Sequence, residues 1–152
     1  MPVHEGLIGT VLPATTVRVS PAHLRRFAEC IGETNPIFID VDAARAMGFT
    51  HIPVPPTFLF CIELQRPDPF DWLADIGVDV RDVMHAEQSF EYHSIAMCEE
   101  ILTSTPVITD VYTKKDGTLQ FIKKTSVVTR ERGELVAELT GVIVLRRVED
   151  ES

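Results

Sequence analysis

The spacing of hydrophobic residues divides the chain into a helical half and a strand-rich half. Between residues 20 and 33, apolar residues recur at i, i+3, i+4 and i+7: Leu24, Phe27, Ala28 and Ile31. This spacing places them on one face of an α-helix. Ser20 and Pro21 are typical of a helix start, and Gly32 is typical of a helix end. The pattern therefore predicts an amphipathic helix here.

Two further helices are predicted before residue 70. The segment Asp42–Met47 opens on an acidic residue, is rich in alanine, and is followed by a glycine. The segment Pro55–Leu64 begins with two prolines and is almost entirely apolar, so we expect a central helix that is buried on most sides. The acidic residues 67–85 are predicted to form a loop with one helical turn, anchored by Trp72 and Ile76.

From residue 86 onward the hydrophobic period changes to two, as in β-strands. Four runs follow this alternation: Gln88–Tyr92, Ile101–Thr113, Leu119–Thr129 and Leu135–Leu145. They are rich in β-branched residues, and Asp116-Gly117 and Arg132-Gly133 mark tight hairpin turns between them. Thr15–Val19 supplies one more predicted strand. We therefore predict an α+β fold in which a long antiparallel sheet packs against the central helix, with free edges that favour dimerisation.

Composition narrows the possible functions. The 152 residues suit a single domain, residues 1–152, and 45% of them are hydrophobic, which is enough for a folded core. Lysine and arginine total 14 against 23 acidic residues, a net charge of −9. A nucleic-acid-binding protein normally carries the opposite charge, so we expect no nucleic-acid partner.

Localisation follows from the termini, the apolar runs and the cysteines. The chain starts without the basic and apolar segments of a signal peptide, and its apolar runs are too short to cross a membrane. Cys30, Cys61 and Cys98 have no metal-binding or redox spacing and sit among apolar neighbours, where we expect buried thiols. These features predict a cytoplasmic protein without a membrane partner.

Four segments carry a resemblance to a known family. The sequence GETNPIFID at residues 32–40, followed by AARAMGF at residues 43–49, resembles the signature of the MaoC-like dehydratases. These are hotdog-fold (R)-specific enoyl-thioester hydratases. The sequence PPTF at residues 55–58 resembles the start of the central helix in the N-terminal-type branch. The sequence EQSFEYH at residues 87–93 resembles the first long strand of that branch.

The resemblance also shows where this chain departs from catalytic members. Their segment reads G-D-x-N-P-x-H, and the aspartate and histidine hold the water that adds to the substrate. Here Glu33 stands at the aspartate position and Phe38 at the histidine position, and a phenyl ring cannot exchange a proton. Pro55 and Pro56 replace a His-Gly pair whose glycine N–H supports the thioester oxygen, leaving Thr57 as the nearest donor.

These departures imply a degenerate, non-catalytic subunit that shapes the acyl site of a hetero-oligomeric (R)-specific 2-enoyl-CoA/ACP hydratase. The partner implied is a MaoC-like chain with an intact Asp/His pair, and the substrate implied is a coenzyme A or acyl carrier protein thioester. No cofactor or metal is expected. The predicted substrate-binding residues are Asn35, Phe38, Pro56, Thr57, Phe58 and Ile62, with Ile37 as a further wall residue.

Two alternatives remain open. The chain could be a homodimeric hydratase or thioesterase with a rearranged site that uses Glu33 or His51, since hotdog proteins support several thioester reactions. It could also bind acyl thioesters without turnover. The acyl group itself is left open among long-chain, branched, sterol-derived and short dicarboxylic forms. His93 is assigned to the surface or to an interface rather than to chemistry.

Basic side chains are candidates for contacts with an anionic carrier. Lys114-Lys115 and Lys123-Lys124 flank one predicted hairpin, and Arg25-Arg26 lies on the first helix. Lysines at strand ends more often serve as solvated charges that protect the edges of a sheet, and we favour that interpretation.

Overall fold

A computed structural model describes residues 3–146, and its central feature is one five-stranded antiparallel sheet. The strand order is β1-β3-β4-β5-β2. The strands are β1 (Thr15–Arg18), β2 (Val83–Tyr92), β3 (Ile101–Lys114), β4 (Leu119–Arg130) and β5 (Leu135–Arg146). All neighbouring pairs are antiparallel, so the predicted α+β class is confirmed.

The two predicted hairpin turns connect the long strands β3, β4 and β5. Left-handed backbone angles reverse the chain after β3, with φ of 55° at Asp116 and 86° at Gly117. The turn between β4 and β5 contains Gly133, whose φ is 91°. Glycine adopts this region without the steric cost that a Cβ brings, which is why both turns were recognisable in the sequence.

The structure shows which of the two alternating sets faces the helices. On β3 and β4 the buried residues include Leu102, Ser104, Pro106, Ile108, Gln120, Ile122, Ser126 and Val128. The threonines of the other set lie on the opposite face and bond across strands, as between Thr109 and Thr125 at 3.3 Å. Alternation alone did not identify the buried face, because both sets contain apolar residues.

Helix α1 (Pro21–Ile31) matches its prediction closely. The side chain of Ser20 accepts a hydrogen bond from the His23 backbone N–H at 3.1 Å, and Gly32 ends the helix with a left-handed φ of 67°. Leu24 is fully buried, whereas Ile31, at the C-terminal end, is 50% exposed. The helix therefore packs on the sheet through its first two turns.

The predicted central helix is present as two 3₁₀ turns, Pro56–Cys61 and Glu63–Gln65, instead of one α-helix. Its burial is one-sided: Ile62 is completely buried, whereas Phe60 is 38% and Leu64 is 40% exposed. Hydrogen bonds from residue i to i−3 pack side chains less favourably than an α-helix, so such turns stay short. We refer to residues 56–65 as the central segment.

Two short helices complete the helical layer. Helix α2 (Val41–Ala46) begins one residue before the prediction, because the carboxylate of Asp40 accepts the Asp42 backbone N–H at 2.9 Å. Helix α3 (Asp71–Asp75) is the single helical turn expected in residues 67–85, and Trp72 is its buried anchor.

Within residues 3–146, no helix has both the length and the apolar character that crossing a membrane requires.

Candidate functional site

Two cavities lie along the central segment. The first, which we call the Phe38 cavity, has a volume of about 390 Å³ and contacts the central segment through Pro56 and Leu59. The second, which we call the sheet cavity, has a volume of about 330 Å³ and lies between Phe60, Glu63, Leu64 and the buried face of the sheet. Both volumes fall in the range of small-molecule sites, about 300–1,000 Å³.

The Phe38 cavity brings together two of the residues that the sequence singled out. Phe38 and Pro56 both line it, and so does Ile37. The remaining walls are mostly apolar: Phe49, Pro53, Val54, Leu59, Tyr92, His93, Ser94, Ile95 and Ala96. The positions where the resemblance expects an imidazole and an oxyanion donor therefore share one cavity wall, and in this chain that wall presents a phenyl ring and a proline ring.

Local hydrogen bonds explain why Phe38 reaches the cavity. The carboxylate of Glu33 accepts the Asn35 backbone N–H at 2.9 Å, and the Asn35 side chain accepts the Ile37 backbone N–H at 3.2 Å. These bonds start the 3₁₀ turn Pro36–Phe38. Asparagine before proline is well suited to such a turn. Glu33 and Asn35 thus shape the loop, and Asn35 itself is exposed and outside the cavity lining.

The other predicted site residues lie elsewhere. Phe58 is 2% exposed and packs edge-on against Phe27, with ring centroids 5.5 Å apart, and Ile62 is fully buried in the same core. Both are core residues outside the lining of either cavity. Thr57 is exposed, and His51 accepts the Ile52 backbone N–H at 2.7 Å. Neither lines a cavity, so the structure does not bring Glu33, His51 and Phe38 into one cluster.

His93 is a candidate that sequence reasoning placed at the surface. It lines the Phe38 cavity, and its Nε2 lies 3.0 Å from the Glu138 carboxylate and 4.0 Å from that of Glu91. An imidazole paired with a carboxylate is a common proton-transfer arrangement. The Glu91-x-His93 spacing was a partial signal, but Glu138 lies 45 residues further on and joins only through strand pairing.

The same three side chains are the candidate metal ligands within residues 3–146. Their ligand atoms all lie within 4.8 Å of one another. Glu91 and His93 are exposed, and His93 already pairs with Glu138. An exposed group of this kind is common without an ion, and the absence of a metal or cofactor stays a prediction.

Arg130, at the end of β4, holds one wall of the Phe38 cavity in place. Its guanidinium donates to the Glu100 carboxylate at 2.8 Å, to the Ser94 hydroxyl at 2.7 Å and to the Ile95 carbonyl at 2.7 Å. Ser94 and Ile95 both line the cavity. A planar guanidinium with several donors is well suited to fixing a loop in this way.

The sheet cavity contains an ion pair among apolar walls. The Lys124 ammonium lies 2.5 Å from one Glu63 carboxylate oxygen, and the other oxygen accepts the Ser104 hydroxyl at 2.9 Å. Burial raises the pKa of Glu63, but the charge of Lys124 and hydrogen bonds from Lys124, Ser126 and Ser104 outweigh it, so the pKa lies below its ordinary value. Glu63 is therefore ionised at neutral pH.

The lysine pairs do not form one anionic-carrier site. Lys124 points into the sheet cavity and pairs with Glu63. The Lys114 ammonium lies over the stacked rings of Tyr112 and Phe121, 5.6 and 5.1 Å from their centroids. Lys123 and Lys124 are adjacent on a strand, so their side chains point to opposite faces.

The cysteines differ in exposure. Only Cys98 is buried, whereas Cys61 is half-buried and Cys30 is exposed, so the expectation of three buried thiols was wrong for Cys30. Burial raises the pKa of the Cys61 and Cys98 thiols, with the nearby Cys30 adding to the effect on Cys61 and Glu99 adding to the effect on Cys98. A raised pKa leaves less thiolate, so neither thiol is activated as a nucleophile.

Comparison with known families gives the relationship. Residues 6–139 match the family described as FAS1-like, dehydratase domain region. The chain belongs to this dehydratase family. Relatives include UPF0336 proteins of Streptomyces griseus subsp. griseus, 30% identical over 151 residues with 99% of each chain covered, and of Leifsonia xyli subsp. xyli, 32% identical over 152 residues with 96% of this chain and 97% of the other covered.

Solved structures confirm the hotdog fold of this dehydratase-family chain. The (3R)-hydroxyacyl-ACP dehydratase complex HadBC of Mycobacterium tuberculosis is similar with a TM-score of 0.73 and 20% identity, covering 94% of this chain and 99% of that one. A chain of the ChsH1–ChsH2 complex from the same organism gives 0.72 and 23%, covering 93% and 91%. A MaoC-like dehydratase gives 0.79 and 20%, covering 93% of this chain and 43% of that one.

Proposed function

We propose that this chain is a substrate-binding, non-catalytic subunit of a hetero-oligomeric (R)-specific 2-enoyl-thioester hydratase. The observation that carries the proposal is the pairing of Phe38 and Pro56 in one cavity wall. Neither ring can transfer a proton or donate a backbone N–H where the family chemistry needs both. An apolar wall can still contact an acyl chain.

The free edge of the sheet supports a partner chain. Within residues 3–146, β2 pairs only with β5, so its other edge is open over ten residues. Apolar side chains are exposed along this strand, with Met84 57% and Tyr92 47% exposed. An open edge with exposed apolar groups favours pairing with another strand. Two of the structural relatives are described as two-component complexes, which is consistent with a hotdog partner.

The proposal includes a coenzyme A or acyl carrier protein thioester as the bound substrate, and the cytoplasm as the compartment. It also assigns the reacting Asp/His pair to the partner. The acyl portion would then lie against Phe38 while the partner adds or removes water.

Reconstitution tests the subunit role. The purified chain should not hydrate crotonyl-CoA, and adding a partner with an intact G-D-x-N-P-x-H segment should produce hydration. In the reconstituted complex, replacing the partner's histidine with alanine should abolish turnover. Glu33→Ala and His51→Ala in this chain should leave kcat unchanged, because neither residue lines a cavity. Phe38→Ala should change KM for longer acyl thioesters. Turnover by the lone chain, or turnover that survives loss of the partner's histidine, contradicts the subunit role.

A second function is favoured by His93. Its contact with Glu138 at the Phe38 cavity would allow a homodimeric hydratase or thioesterase with a rearranged site. In that case the lone chain would hydrate or hydrolyse an acyl thioester, and His93→Ala would abolish the reaction. Glu91→Gln serves as the matched control, because Glu91 lies 4.0 Å from the imidazole and makes no hydrogen bond to it.

A further inference from the structure

The sheet cavity has a charged pair where an ordinary core gap would be apolar. Lys124 and Glu63 are only 25% and 19% exposed, and the neighbouring walls include Ile122, Leu139 and Ile143. Moving charges out of water is unfavourable, and a buried pair recovers this free energy only with good geometry and further hydrogen bonds. A few convergent polar groups in an otherwise apolar cavity are typical of small-molecule sites.

The hydrogen bonds of the pair indicate what a ligand must offer. Both Glu63 oxygens already accept a bond, one from Lys124 and the other from the Ser104 hydroxyl. An ammonium has three N–H donors. Within residues 3–146, Glu63 is the one hydrogen-bond acceptor of Lys124, so two donors stay free. The cavity therefore has spare donors and favours a ligand that carries an acceptor oxygen.

The mouth of the cavity indicates the rest of the ligand. Phe60, Leu64, Phe70 and Val80 line it and remain 38–47% exposed. These apolar side chains gain by being covered, whereas the ion pair lies deeper. We propose that the sheet cavity binds a medium-length aliphatic molecule whose acceptor oxygen, a carboxylate in the simplest case, contacts the Lys124 ammonium.

This site goes beyond the proposed subunit role. It is separate from the Phe38 cavity, and every wall named belongs to this chain. Binding can therefore be measured on the purified chain without a partner or turnover.

Trp72 makes the measurement direct. It is the one tryptophan of the chain and lines the sheet cavity, and the Lys124 ammonium lies 5.6 Å from its ring centroid. Titration with octanoate should change Trp72 fluorescence in a saturable way, and calorimetry should give the same affinity. The neutral 1-octanol should bind more weakly, because hydrogen bonds to a charged partner are stronger when both groups are ionised.

Variants separate the ion pair from general apolar binding. Lys124→Met should weaken octanoate binding about tenfold or more and remove the preference over 1-octanol. Lys123→Met is the matched control on the opposite face and should bind octanoate like the wild type. Glu63→Gln/Lys124→Met removes both charges, so it avoids an unpaired buried carboxylate and should show the same loss if Lys124→Met fails to fold.

Filling the cavity gives an independent check. Gly141 lines it, and an added Cβ would lie 3.0 Å from the far end of the flexible Gln88 side chain. Gly141→Val should therefore reduce the binding of both octanoate and 1-octanol.

Two results overturn the proposal: no saturable octanoate binding by the wild type, or equal octanoate affinity in Lys123→Met and the lysine-124 variants. Octanoate binding without activation of a hydratase partner contradicts only the subunit role. Activation without octanoate binding contradicts only the sheet-cavity site.

Discussion

Replacing Arg130 with methionine tests whether this guanidinium holds the wall of the Phe38 cavity. The substitution removes three hydrogen bonds, to Glu100, Ser94 and the Ile95 carbonyl, while keeping an unbranched apolar stem. Glu100 keeps a second bond, because its other oxygen accepts the Met97 backbone N–H at 2.6 Å. The loop should therefore loosen without leaving that carboxylate unpaired.

The expected loss is about 3 kcal/mol in the free energy of unfolding. Hydrogen bonds to a charged group contribute about 1.5–3 kcal/mol each when shielded. Arg130 and Glu100 are 22% and 32% exposed, so we take about 1 kcal/mol for each of the three bonds after solvent screening. For a domain of this size, 1 kcal/mol shifts Tm by about 3 °C, so Tm should fall by about 9 °C.

Thermal unfolding followed by circular dichroism measures this shift. Arg130→Lys keeps the charge but not the planar donor geometry, so it should fall between the wild type and Arg130→Met. Arg132→Met, in the exposed β4–β5 turn, is the control and should leave Tm nearly unchanged. A Tm for Arg130→Met close to that of Arg132→Met would refute the assigned role.

Three further predictions concern the ion pair, the core and the end of α1. The pKa of Glu63 lies below its ordinary value of 4.5, so its ionised form stabilises the folded state above about pH 4.5, and this contribution is lost as pH falls through the folded-state pKa. Urea unfolding of the wild type and Glu63→Gln at neutral pH and at about pH 3 should show the stability difference between them narrow in acid; an unchanged difference contradicts the shift. Phe58→Ala should lower the free energy of urea unfolding by about 4 kcal/mol, because Phe58 is buried against Phe27, whereas the half-exposed Phe60→Ala should cost far less. Gly32→Ala should cost about 1 kcal/mol in thermal unfolding, because φ at this position is 67°, and no loss would argue against the left-handed cap.

The comparison of Phe38 with His93 explains why the candidate site was only half predicted. Phe38 and Pro56 stood out because each replaces a residue type that the family chemistry needs, and this information is local in the chain. His93 gained its carboxylate partner only when β2 paired with β5 and brought Glu138 to within 3.0 Å. No spacing rule connects two residues 45 positions apart, so strand register had to supply the contact.

The sequence by itself determined the local structure: the ends of α1, the two hairpin turns and the succession of strands. Caps, left-handed glycines and period-two patterns act over a few residues, and their free energies do not depend on the rest of the fold. The tertiary structure decided which face of each strand is buried, because alternation is equally satisfied on either face. It also moved Phe58 and Ile62 from predicted cavity walls into the core. The Lys124–Glu63 pair joins residues 61 positions apart, so only the packing of the central segment on the sheet could turn a surface-type lysine into a cavity group.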